Sequence, residues 1–174
     1  MGNSIVNSVT KQIVGFSNSV TDCLYCGILI EGSVIAVNNW EKRFMTYLAD
    51  KNQNVVGLGI VGIDLIDLEW SKLYFKEQKD FLLKIVHDSR INKSYNKYVF
   101  QLKEDIGNRM LNDIENLIIE LNENQISENS FRFYSEPPES EFEMCNIHGV
   151  YMNYLNVDRK HRCLLCSNDE TYIT

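Results

Sequence analysis

Tyr25-Cys26-Gly27-Ile28-Leu29-Ile30-Glu31-Gly32-Ser33-Val34-Ile35-Ala36-Val37 carries a single charge, Glu31, near its middle. Ile28-Leu29-Ile30 and Val34-Ile35-Ala36-Val37 flank Glu31-Gly32-Ser33, and β-branched side chains dominate both arms. On that pattern the run predicts a β-hairpin. Upstream of it, Ile5, Val9, Ile13 and Phe16 fall at helical spacing among Asn, Ser and Thr, which predicts a marginal amphipathic helix over residues 4–20. Immediately downstream, Asn39 can cap a helix through about Lys51 whose inner face is Trp40, Phe44, Tyr47 and Leu48.

Further along, Val55 to Leu65 mixes branched residues with Gly57, Gly59 and Gly62, as suits a strand closely approached by another backbone. The pattern then turns helical. Ser71 caps a helix to about Asp88 with Tyr74, Phe81, Leu82, Ile85 and Val86 inward. A longer helix from about Lys97 to Asn122 places Val99, Leu102, Ile106, Met110, Ile114, Leu117 and Leu121 in steps of three and four. Gly107 costs that helix about 1 kcal/mol relative to Ala. From Glu123 acids accumulate, and Pro137-Pro138 stops any helix, leaving room for a short strand at Phe131–Tyr134. The predicted organisation is α+β. Residues 1–122 form a core domain in which a small sheet carries two or three packed helices, 123–142 an acidic linker, and 143–174 a small metal-binding module.

Hydrophobic residues make up 44% of the 174, enough for a real core and too many for a disordered chain. The formal net charge of -7 disfavours unaided binding to duplex phosphate and favours a basic protein partner. No apolar signal region and no run of about 18 apolar residues is present, so the expected location is the cytoplasm. Five cysteines is an odd number, and the C-x-x-C loops point to metal or redox chemistry rather than a disulfide framework.

Cys145-Asn-Ile-His148-Gly149 and Cys163-Leu-Leu-Cys166 place two pairs of soft ligands fourteen residues apart. A tight turn presents each pair, and a hairpin between them closes a tetrahedron. Cys145, His148, Cys163 and Cys166 would thus give a structural zinc ion four ligands and leave no open position. Some thirty residues around them bury little surface, so the metal would supply folding energy. Cys23-Leu-Tyr-Cys26-Gly27 is also a good knuckle. It can pack as two small apolar residues, add metal ligands, or form a dithiol. Redox catalysis would want a helix N-terminus directly after the pair, where a strand is expected.

Gly57-Leu-Gly59-Ile-Val-Gly62 matches the dinucleotide fingerprint letter for letter, but lacks the strand before and the helix after that the chemistry requires. Asp64, Asp67 and Glu69 precede Glu77-Gln78-Lys79, as in some metal-dependent nucleases. Glu77 and Lys79 fall on one helix about 200° apart and diverge, which argues against a catalytic site built on Asp64 and Glu77. The one basic cluster, Arg159-Lys160-His161-Arg162, lies on the metal hairpin.

With its C-x-x-H-G and C-L-L-C pairs, the last thirty residues resemble a zinc ribbon. The body is similar to small cytoplasmic immunity proteins of Firmicute toxin systems at Asn39-Trp40-Glu41, Gly62 to Trp70 and Gln78 to Leu83. That resemblance implies a non-enzymatic inhibitor that occludes a toxin active site with acidic side chains.

The function expected from the sequence is therefore an acidic inhibitor or immunity protein capping a basic, nuclease-type toxin. Candidate contacts are Asp64, Asp67 and Glu69, or the linker acids Glu136, Glu139, Glu141 and Glu143. The alternative is a zinc-ribbon nucleic-acid-binding accessory or regulatory protein of a phage or mobile element, contacting phosphate through Arg159, Lys160 and Arg162. Neither reading involves a membrane or a small-molecule substrate.

Overall fold

In the computed structural model, Asn18–Ile35 is one continuous helix, α1. The structure describes residues 4–51, 62–97, 101–126, 142–155 and 160–166. The predicted hairpin over Tyr25–Val37 is thus corrected to a helix. Every residue from Thr21 to Leu29 is buried, so the helix has no solvent-exposed face along this stretch. Such a helix reads as a continuous apolar run, which periodicity cannot tell from a buried strand. The supposed turn residue Gly32 is a helix crossing: a Cβ there would run into the Met45 sulfur of the next helix. Leu24 and Leu29, at 0% and 1% exposure, each contribute about 1.5–3 kcal/mol by burial.

Residues 4–15 form a hairpin where a marginal helix was expected. Strand β1 (Ser4–Asn7) pairs antiparallel with β2 (Gln12–Gly15), Val6 opposite Ile13. The Asn7 side chain decides the turn, its Oδ1 accepting from the backbone N–H groups of Val9 and Thr10, both at 3.2 Å. Such local bonds compete with helix formation. Lys11, at φ 60°, completes the reversal. A short strand β3 (Ile63–Asp64) runs parallel to β1, giving the order β2-β1-β3. A Cβ on Gly62 would sit 3.2 Å from the Ser4 carbonyl oxygen, as expected for a closely approached strand. Val55–Val61, with Gly57 and Gly59, lie outside the described residues.

Helix α2 (Asn39–Lys51) runs as predicted. Its capping side chain is Asn38, one residue earlier, whose Oδ1 accepts from Glu41 N–H at 3.0 Å. Glu41 Oε2 in turn accepts from the N–H of Val37 at 2.7 Å and of Asn38 at 3.2 Å, a reciprocal box. Phe44, Tyr47 and Leu48 are buried. Trp40, half-buried, donates Nε1–H to the carbonyls of Leu68 and Glu69 and lies 5.6 Å from Trp70. Two of the sequence stretches that carry the immunity-protein resemblance are therefore packed together.

Helix α3 (Phe75–Ile91) follows a 3-10 turn at Lys72–Tyr74. Phe81, Leu82, Ile85 and Val86 are buried as predicted, but Tyr74 falls on the preliminary turn and is exposed. Helix α4 (Glu104–Glu120) starts later than the periodicity suggests. A tight turn at Ser94–Asn96 intervenes, and Asn96 Oδ1 accepts from Leu102 N–H at 2.8 Å. Val99 lies outside the described residues. Tyr95, fully buried, sits where Cβ atoms on Gly27 of α1 and Gly107 of α4 would lie within 2.7 Å of it. The apparent weakness at Gly107 is therefore the space this ring occupies. The α+β class holds: among the described residues α2, α3 and α4 pack against α1, and a three-stranded sheet lies at one side.

Candidate metal centre

The knuckle at Cys145–Gly149 is a turn closed by its own backbone. Met144 bridges Tyr151, Cys145 N–H donates to the Val150 carbonyl at 2.9 Å, and Gly149 N–H donates to the Cys145 carbonyl at 2.8 Å. Gly149 has φ +63°, a left-handed conformation that a side chain would strain. The chain then forms an antiparallel pair, β4 (Asn153–Leu155) with β5 (Lys160–Arg162), Tyr154 opposite His161. This ribbon returns Cys163-Leu-Leu-Cys166 to the first pair.

Cys145, His148, Cys163 and Cys166 offer ligand atoms that all lie within 4.8 Å of one another, close enough to hold a metal ion. His148 Nδ1 is 3.7 Å from the sulfur of Cys145, 3.5 Å from that of Cys163 and 3.4 Å from that of Cys166. The sulfurs of Cys145 and Cys166 are 3.6 Å apart. Bond lengths of about 2.3 Å to sulfur and 2.0–2.1 Å to nitrogen give tetrahedral edges of about 3.4–3.8 Å. These four separations fall in that range, and the set is compatible with zinc.

Electrostatics at the first ligand favour an anion. Burial opposes ionisation of Cys145, but backbone N–H groups of His148 and Ile147 aim at its sulfur and bring the thiol down from 9.0 to about 6. At Cys163 burial prevails and the thiol is pushed up to about 12, although Cys166 and Leu165 offer equivalent N–H groups. The repetition of this amide pattern at both pairs is what a thiolate-binding knuckle requires.

The site is built against the body. Tyr151 N–H donates to Ser33 Oγ of α1 at 3.1 Å, and β4 packs on α2. Cys145, Val150, Tyr151, Cys163 and Leu164 are buried in the same apolar cluster as Leu24 and Phe44. Sequence reading missed Ser33 as the anchor because it was assigned to a turn.

The other predicted residues are dispersed. Cys23 and Cys26 are buried on α1, outside the four-residue group. Burial, reinforced by Asp22, pushes the Cys23 thiol up to about 12; burial, reinforced by Cys23 and Cys163, raises that of Cys26 further, so both favour the neutral thiol. Asp64 Oδ1 accepts from the N–H groups of Ser8 and Ile66, both at 3.3 Å. Asp67 is half-buried, its carboxyl raised by burial and by Asp64. Glu69, at φ 50°, forms a 2.8 Å ion pair with Arg43. Glu143 is exposed just before the knuckle, its carbonyl accepting from Met152 N–H. Glu136, Glu139, Glu141 and Arg159 lie outside the described residues, and Lys160 and Arg162 belong to β5. Glu77 and Lys79 share α3. Lys79 Nζ donates to the carbonyls of Ile119 and Leu121, both at 2.7 Å, and so caps the end of α4.

No family model, curated protein or solved structure matches this chain. The likeness of the body to immunity proteins draws no support from these comparisons. No helix among the described residues is long and apolar enough to cross a membrane.

Proposed function

We propose that the protein is a non-enzymatic, acidic binding protein whose C-terminal ribbon is fastened by one structural zinc ion, and that it neutralises a basic, nuclease-type toxin by covering its active site. The observation that carries the reading is the four-ligand set of Cys145, His148, Cys163 and Cys166. A metal held by four side chains has no position left for water or substrate, so its role is fastening rather than hydrolysis. The net charge of -7 supplies the attraction for a basic partner and predicts fast, salt-sensitive association.

Two measurements test this. Elemental analysis should find one zinc per chain, and Cys163→Ser should lose it; full zinc in the variant sinks the metal assignment. Affinity capture from the native host at low ionic strength should return a basic protein that high salt releases and nuclease treatment does not. Capture of nucleic acid without protein would overturn the binding reading. It would favour the second one, an accessory protein contacting nucleic acid through Arg159, Lys160 and Arg162, for which the position of β5 directly before the ligand Cys163 speaks. Charge reversal at Arg159 and Lys160 would then abolish the capture.

A further inference from the structure

A groove of about 470 Å³ runs between β2 and α4. One wall is Gln12–Gly15; the other is a single helix face formed by Met110, Asp113, Leu117 and Glu120. β2 is the outer strand of its sheet, so its far edge pairs with no strand among the described residues. Ile13 in its middle is 67% exposed. An unpaired strand edge presents backbone N–H and C=O groups to any extended chain laid beside it.

Length and charge narrow the occupant. Met110 to Glu120 spans about 15 Å at 1.5 Å per helical residue, which a strand of four or five residues covers at about 3.3 Å each. The charged side chains in the walls, Asp113 and Glu120, are both negative. Helix α4 carries five acids, Glu104, Asp105, Asp113, Glu115 and Glu120, against Arg109 alone. Glu104 and Glu115 pair with Lys93 and Arg90, whereas Asp113 has no cationic partner among the described residues and Glu120 accepts across the groove from the neutral Gln12 amide. A second copy of this acidic chain would set carboxylate against carboxylate. A basic segment would meet complementary charge beside the apolar side chains of Met110, Leu117 and Ile13.

We propose that this groove takes an extended segment of a basic protein as an added strand on β2, with Lys or Arg side chains reaching Asp113 and Glu120. The proposal rests on the reading of a basic protein partner and specifies where that partner attaches.

The test uses the whole zinc-loaded protein and a blocked six-residue peptide of alternating Lys and Val, followed by amide NMR at low ionic strength. Shifts are expected in Gln12–Gly15 and along α4 from Met110 to Glu120. Methylating alternate peptide nitrogens removes the edge hydrogen bonds and should weaken binding about tenfold or more. Replacing Lys by Glu in the peptide, or Asp113→Lys in the protein, should weaken it by a similar factor. No binding, shifts confined to other surfaces, or equal binding by the methylated peptide overturns the proposal. If the host protein is captured equally by wild type and Asp113→Lys, the groove assignment falls and the binding function stands. If the peptide binds here and no basic protein is captured, the function falls and the groove stands.

Discussion

Two regions that meet at Ser33 and Tyr151 are held by opposite kinds of force. From Thr21 to Leu29, helix α1 is kept in place by burial on every side, a non-directional attraction spread over many contacts. The Cys145–Cys166 knuckle depends on four ligand atoms and a few N–H groups aimed at sulfur. Loss of one α1 side chain should therefore weaken the fold by degrees. Loss of one ligand should remove the metal fastening at a stroke, leaving only the buried contacts of Val150, Tyr151 and Leu164 to hold the knuckle.

The sharpest break of this comparison is removal of the zinc ion proposed for this site. Because Val150, Tyr151 and Leu164 share the core of α1, chelation or Cys163→Ser should leave a single thermal transition. Its midpoint should fall by about 8–16 °C, for the loss of about 4 kcal/mol that binding supplies at free zinc about a thousandfold above its dissociation constant. Calorimetry that resolves two transitions, the upper one unmoved, would show that the regions are independent. Next in size, Leu24→Ala should cost about 2–5 kcal/mol in denaturant unfolding while zinc content stays at one per chain. Val34→Ala on the same helix, at 75% exposure, should stay within about 0.5 kcal/mol. A smaller effect belongs to the directed bonds of α2: Asn38→Ala should cost about 1 kcal/mol.

The mildest effect is on pH dependence in chelated protein. Cys145 is held at about 6 against 9.0 when unfolded, so between those values the folded chain binds fewer protons and stability rises with pH. Cys23 and Cys163 are raised to about 12, so between 9 and 12 the folded chain binds more protons and stability falls. Melting temperatures should peak near pH 9. A continued rise through pH 11 would contradict the burial of these two thiols.

The two regions were not equally legible. Ligand spacing survives in the sequence because coordination fixes residue type and interval locally, and Cys145, His148, Cys163 and Cys166 do converge. The inner faces of α2 and α3 were also readable at Phe44, Leu48, Phe81 and Ile85, since each helix keeps a wet side. Burial all round erased that signal in α1. The β1–β2 hairpin was hidden differently: Ile5, Val9 and Ile13 fit a helical repeat, and only the Asn7 side-chain bonds tip the backbone into a turn. Lys79, weighed as part of a nuclease-like Glu-x-Lys, could be assigned to the carbonyls of α4 only with the tertiary structure known.

The Ser33–Tyr151 bond joins residues 118 positions apart. At a synthesis rate of about 5–20 residues per second, the chain between them takes about 6–24 s to emerge. Throughout that interval the apolar run from Leu24 to Ile30 is made but lacks its last neighbours. The protein is therefore most exposed to self-association while it is still being translated, and a nascent chain stalled before the knuckle should be a chaperone substrate.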